Sequence, residues 1–367
     1  FITHPGSDFM ADVLKKIGLQ YIAINPAAGF RSLQESIINH LGNKNPEIIT
    51  CLHEESATAM AHGYAKASGK PMAVMVHGTV GLQHASMAIY NAYADRVPML
   101  VLTGNIGKPE TRQAYIEWDH SAQDQAATVR DITKWDDQPA SLQGFAESMV
   151  RGYDMMTTAP MAPVLIVADG DLQEDPIPAN EEKKLRIPKL KMRSQPAGDI
   201  AALRDAAKML IAAEYPVIYT NRYARTENAP ALLIELAELL GAAVVDNHLR
   251  MNMPNRHPHN HSMRREAALQ AADVILALEP IDLFGLNNYV PDLVGRPNDP
   301  RRRQPNLKIV HIGTESMMAK SNFQDFQRFA GFEARMRVVG KPVHVGQRQR
   351  PIRRARPEGS RAILQAA

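Results

Sequence analysis

Residues 53–81, HEESATAMAHGYAKASGKPMAVMVHGTVG, place two carboxylates at the head of a run of small side chains that leads into a strongly apolar strand. Glu54 and Glu55 precede Ala57, Ala59, Met60, Ala61, Gly63 and Ala65, and the strand follows at 72–76. A solvated helix start is one reading, because acidic side chains favour the first turn, where they meet the positive end of the helix dipole. The other is a carboxyl group held in apolar surroundings, where it shares a proton with something buried beside it.

Helix-like and strand-like segments alternate outward from this stretch. SDFMADVLKKIG reads as an amphipathic helix, QYIAINP as a buried strand broken by Pro26, SLQESIINHLG as a helix stopped at Gly42, and EIITCL as a strand. PMAVMV, PMLVLTG and PVLIVAD read as strands, and SMAIYNAYADR and SLQGFAESMVRGYDMMTT as helices. Continuous apolar strands alternating with helices predict a parallel sheet covered on both faces. Residues 175–197 are rich in proline and charge and read as a linker, after which the alternation restarts. The expected organisation is an α/β chain of two doubly wound parallel-sheet domains: 1–178, a linker at 179–197, a second domain at 198–330, and a basic, disordered tail at 331–367.

Composition fits this reading. The chain has 367 residues, 45% of them hydrophobic and 22% charged, as in ordinary globular proteins. A single cysteine, Cys51, excludes an internal disulfide framework and points to a reducing, cytoplasmic compartment. No apolar run approaches the length of a membrane span, so no membrane partner is expected. The tail carries nine Lys and Arg against two Glu, +7 of a total of +3, leaving the remainder at −4. It lacks the interleaved aromatics of a single-strand binder, and no nucleic-acid partner is expected. His248, His257, His259 and His261 lack the paired spacing of a zinc site, so no metal is expected on them.

The spacing of several motifs resembles a known family. NPAAGF at a strand end, then LHEESATAMAHGYAKASGKP, then VHGTVGLQHASMAIYNAYADRVPMLVLTGN, is similar to the pyrimidine-binding domain of thiamine diphosphate enzymes. That group includes benzoylformate decarboxylase, acetolactate synthase and pyruvate decarboxylase. DITKW, and AEYPVIYTNRYARTENAPALLIELAELLGAAVVD with NRHP in the second half, extend the resemblance over about residues 7–327. It implies thiamine diphosphate and Mg2+ as cofactors and a 2-oxo acid substrate. The reaction implied is decarboxylation or acetolactate synthase-like carboligation through a C2 carbanion/enamine. Residue by residue, it implies that Glu54, nine positions ahead of Gly63 in GYA, hydrogen-bonds the cofactor's aminopyrimidine and is catalytic. Asn25, Pro26 and Ala27 become cofactor-binding residues. His77, 23 positions after Glu54, becomes a catalytic histidine, and His84 lines the substrate pocket. The resemblance also implies a homodimer or homotetramer, with SATAMAHGYA and QHASMAIYNAY as interface segments.

The departures are as specific. Where benzoylformate decarboxylase has NPGS this chain has NPAA, which puts Ala28 at the place of its substrate-binding serine. Its second active-site histidine falls near Leu286 and Asn287, the expected far wall of the pocket. The GDG element that holds the diphosphate through Mg2+ is not found, and ADGD at 168–171 lacks its leading glycine. Two expectations therefore stand: an enzyme whose diphosphate domain lies outside these residues, or a non-catalytic remnant of one.

Overall fold

The computed structural model describes residues 4–106, 108, 110, 115, 119–191, 197–247, 249–281, 307–314 and 336–339. The chain divides into two compact units, Phe1–Ser194 and Gln195–Ala367. The α/β reading of two doubly wound parallel sheets is what the structure shows.

The first unit runs α1 (Gly6–Lys16), β1 (Tyr21–Ile24), α2 (Arg31–Asn39), β2 (Glu47–Thr50), α3 (Glu54–Ser68), β3 (Met72–Val76), α4 (Val80–Ala94), β4 (Met99–Asn105), β5 (Trp135–Asp137), the helix Leu142–Thr157 and β6 (Val164–Asp169). The sheet is parallel throughout, in the order β2-β1-β3-β4-β6-β5. Successive strand residues point to opposite faces, and the two faces are built differently. Ile22, Ile24, Ala73, Met75, Leu100, Leu102, Val164 and Ile166 meet bulky residues of α1, α2 and Leu142–Thr157, including Met10, Leu14, Ile37, Phe145 and Met149. Ala23, Met72, Val74, Val76, Met99, Val101, Leu165 and Val167 meet a face rich in alanine from α3 and α4: Ala57, Ala61, Ala65, Ala85 and Ala92. These small side chains let the two helices lie close to the strands.

Helix ends follow local chemistry. Gly69 closes α3 at φ 71°, a left-handed position that glycine takes without a steric penalty. Lys134 Nζ donates to the carbonyls of Met155, Thr158 and Pro160 at 2.7, 2.7 and 2.9 Å. A cation there complements the C-terminal end of the helix Leu142–Thr157.

The second unit contributes the helix Ile200–Ala212, β7 (Pro216–Thr220), the helix Ala229–Leu240, β8 (Ala243–Asp246), β9 (Val274–Leu278), β10 (Lys308–Gly313) and β11 (Met336–Val339), in the parallel order β11-β10-β9-β7-β8.

Four local expectations need correction. Helix α4 begins at Val80 rather than Ser86, because Gly81 is a packing residue there and not a helix breaker. The three-residue edge strand β5 carries too little apolar pattern to be read from sequence. A short helix, Ala179–Glu182, lies in the expected linker. Met336–Val339, placed in the expected disordered tail, pairs with β10 as β11, extending the parallel backbone ladder by one strand.

Candidate active site

The strand order fixes where a site can form. From β1 the chain moves to β2 on one side and returns to β3 on the other, so a crevice opens between the carboxyl ends of β1 and β3. Open α/β sheets bind ligands at such a switch point. Residues 25–28 leave β1 there, residues 51–53 leave β2 and residues 77–79 leave β3.

Glycines allow the strand-end backbones to touch. A Cβ on Gly104 would land on the carbonyl of Gly29. On Gly78 it would come within 2.7 Å of Gly104 O and 2.9 Å of His120 O. Asn25 and Ala27 are half-buried, Pro26 and Ala28 are exposed, and buried Phe30 anchors the turn behind them.

Glu54 is the first residue of α3 and is 6% exposed, whereas Glu55 faces solvent. Its carbonyl accepts from Thr58 Oγ1 at 2.8 Å, but its carboxylate has no hydrogen-bond partner among the described residues. Glu54 Oε1 lies against Gly81, where a Cβ would approach to 2.8 Å, and that same Cβ would meet His77 Cβ at 2.7 Å. The first turns of α3 and α4 thus enclose the carboxylate, with His77 beside it.

His53 caps α3 through Nδ1, which accepts from Glu55 N at 3.2 Å. That bond places the proton of a neutral His53 on Nε2, which donates to His84 Nδ1 at 3.0 Å. His84 is exposed and crosses the His53 ring edge-on at 4.8 Å.

His77 is half-buried, and its Nδ1–H donates to Gly78 O at 3.2 Å. Burial lowers its pKa first and the neighbouring His120 lowers it further; the Gly78 carbonyl and the Glu54 carboxylate oppose them. A neutral imidazole with Nε2 as acceptor is the form at neutral pH. The His120 ring lies 4.5 Å from that of His77, tilted by 38°. Sequence reasoning missed His120, because a lone histidine in the polar stretch DHSAQDQ has no diagnostic spacing. It also missed Gln125, fully buried, whose Oε1 accepts from Thr79 N at 2.9 Å. Thr79 sits at φ 31°, unusual for a β-branched residue, at the turn that aims His77.

Leu286 lies outside the described residues, as does His248. Among the described residues no group of three or more His, Cys, Asp or Glu could hold a metal ion. ADGD ends β6 and opens a short helix, Gly170–Glu174. Asp169 there accepts from Gln138 Nε2 at 2.8 Å, and burial raises its pKa.

A carboxylate of low exposure, without a hydrogen bond to a described residue, thus lies beside a neutral histidine at the switch point. Residues 4–128 match the thiamine pyrophosphate enzyme N-terminal TPP binding domain, and residues 203–331 match the thiamine pyrophosphate enzyme central domain. The chain belongs to the thiamine pyrophosphate enzyme family. It is 27% identical to the acetolactate synthase large subunit of Lactococcus lactis, over 74% of this chain and 47% of the relative. Identity to the glyoxylate carboligase of Escherichia coli O157:H7 is 27%, over 83% and 49%. Benzoylformate decarboxylase of Pseudomonas aeruginosa is 26% identical, over 67% and 45%. The chain thus spans about half the length of these curated relatives. An X-ray structure from Mycobacterium smegmatis, assigned to the thiamin diphosphate-dependent enzymes, superposes with a TM-score of 0.68 at 22% identity, covering 86% of this chain and 58% of that one. That likeness supports the fold.

Proposed function

We propose that this chain supplies the pyrimidine-side half of a thiamine diphosphate-dependent active site that acts on a 2-oxo acid, by decarboxylation or carboligation. The observation that carries the reading is Glu54, a residue of 6% exposure whose carboxylate lies against Gly81 and makes no hydrogen bond to a described residue. Bound thiamine diphosphate supplies a carbon nucleophile and an electron sink for 2-oxo acid chemistry. Glu54 would hold a proton shared with the aminopyrimidine ring. Its low exposure would limit the water that competes for that proton. Asn25, Pro26 and Ala27 would border the ring. His77 Nε2 would accept or return a proton on substrate-derived oxygen, with His84 and Ala28 at the pocket's edge. Relatives named as a synthase, a carboligase and a decarboxylase support the reaction class without choosing among its members. Mg2+ belongs to the proposal through the family, with its ligands outside the described residues.

The reading includes a homodimer or homotetramer. Leu52, Met60, Met87 and Tyr90, on or beside α3 and α4, are 98%, 42%, 56% and 47% exposed, an apolar face suited to a second copy. No helix among the described residues is long and apolar enough to cross a membrane, and a cytoplasmic location is part of the proposal.

The test is C2 hydrogen–deuterium exchange of thiamine diphosphate bound to the complete protein. Glu54→Gln keeps the shape but cannot share the proton, so exchange should slow by roughly 10²–10⁴-fold, the range for a positioned acid–base group. Exchange at the wild-type rate would remove Glu54 from this role.

A further inference from the structure

The turn after β1 carries Asn25, Pro26, Ala27 and Ala28 and is pinned at both ends. At one end Ile24 O accepts from Cys51 N at 2.7 Å. At the other, residues 29–33 are gripped by the short helix Gly170–Glu174. Gln173 Nε2 donates to Gly29 O and to Ala168 O, both at 2.9 Å, and its Oε1 accepts from Leu33 N at 3.4 Å. Ser32 Oγ donates to Gln173 O at 3.3 Å, and the Arg31 guanidinium makes two bonds to the Glu174 carboxylate, at 2.7 and 2.9 Å. The gripping segment is itself anchored to α1. Gly6 N donates to Asp175 O at 2.9 Å, and a Cβ on Gly6 would land on Leu172 O.

Gln173 is 1% exposed, and its amide is used on both sides. Two N–H groups meet two carbonyls while the oxygen meets an N–H, so a flipped amide would set its oxygen against both carbonyls. A carboxylate or an apolar chain of the same length cannot make this set of bonds. The Gly29 carbonyl is held on a second side as well, since it lies where a Cβ on Gly104 would be.

We propose that Gln173 is a positioning residue for the crevice: through Gly29 it sets the turn 25–28 in its ligand-ready conformation before a cofactor arrives. The ligand rests on the function proposed above; the clamp rests on the hydrogen bonds alone. A turn held in advance need not be ordered at binding, so apparent affinity rises with the fraction of molecules already competent. A residue that only stabilised the fold would change the unfolding equilibrium and leave the turn of the folded protein as it was.

The test compares Gln173→Met, which keeps the length of the side chain and removes its three bonds, with wild type in the complete protein. Without cofactor, amide hydrogen exchange across residues 25–33, read by mass spectrometry, should quicken about tenfold. The half-saturating concentration of thiamine diphosphate should rise roughly tenfold, while kcat at saturation falls by less than about threefold. Asn252→Ala, which removes buried amide bonds in the second unit, controls for stability and should shift neither quantity. Gln173→Glu keeps an acceptor for Leu33 N, but its ionised carboxylate would face two carbonyl oxygens. Its cofactor affinity relative to wild type should therefore recover as pH falls and the carboxyl gains a proton to donate, which keeps the clamp testable if Gln173→Met fails to fold. Wild-type turn exchange in Gln173→Met, a loss confined to kcat, equal shifts in Asn252→Ala, or a pH-independent Gln173→Glu would each overturn the proposal. Quickened turn exchange in Gln173→Met together with normal C2 exchange in Glu54→Gln would uphold the clamp and sink the thiamine reading.

Discussion

The two sheets share one winding and use it differently. In the first unit the switch lies between β1 and β3; in the second it lies between β7 and β9, with β8 on the other side. At the second crest the protein's own polar side chains bind one another. Buried Asn252 Nδ2 donates to Asn221 O and to Asp246 Oδ1, both at 2.8 Å, and its Oδ1 accepts from Ala224 N at 2.8 Å. Asn221 Oδ1 accepts from Ile281 N at 3.2 Å. At the first crest the Glu54 carboxylate has no hydrogen bond to a described residue and His120 Nδ1 is buried without one, as Thr220 Oγ1 is at the second crest. Topology makes a crevice in both units, and an asparagine network fills part of the second.

The sharpest way to break this contrast is to exchange neighbouring carboxylates. In the loaded, complete protein, Glu54→Gln should reduce turnover by orders of magnitude, whereas exposed Glu55→Gln should retain it; equal losses would show that burial does not select the functional acid.

At the second crest the expected effect is on stability. Asn252→Ala removes three short hydrogen bonds inside a buried network and should cost about 3 kcal/mol, read as a lower urea midpoint with unchanged slope. A loss below about 0.5 kcal/mol would mean that the network does not hold the crest together.

His53→Ala sharpens the comparison at the first crest, since it deletes the α3 cap next to Glu54. The expected loss is about 1 kcal/mol in urea unfolding. His53→Asn, which can cap through its side-chain oxygen, should recover most of it; failure to do so would assign the loss to the contact with His84.

The smallest effect is in pH. His77 in the first unit and His261 in the second both have pKa values lowered from 6.5, by burial first. As pH falls, the unfolded chain takes up these protons before the folded one does. Stability should therefore decline from about 6.5 down to the lowered folded pKa values and be flat above. His77→Gln and His261→Gln should each flatten part of that decline in thermal unfolding, and an unchanged slope in both would count against the assignment.

Much of this architecture was legible in the chain. Strands such as MAVMV and VLIVAD are buried on both faces and so read as unbroken apolar runs. Glu54 was distinguishable from Glu55 by its distance from GYA, and the structure finds the former buried and the latter exposed. What could not be read were features set by contacts far apart in sequence. The early start of α4 depends on Gly81 meeting Glu54 and His77 across the crevice. His120 gains meaning from His77, and Gln125 from Thr79, more than forty positions away in each case. No local pattern encodes such pairs.

Gly104 carries a consequence for heredity. Every other residue type would add a Cβ where the Gly29 carbonyl already sits, and both partners are backbone, so neither can rotate aside. Variation at its codon is confined to synonymous changes for as long as the strand ends stay in contact. Exposed Ala28, one residue before Gly29, is under no such confinement. Position 28 can therefore take other side chains while position 104 stays glycine, so that the turn after β1 varies and the strand-end contact does not.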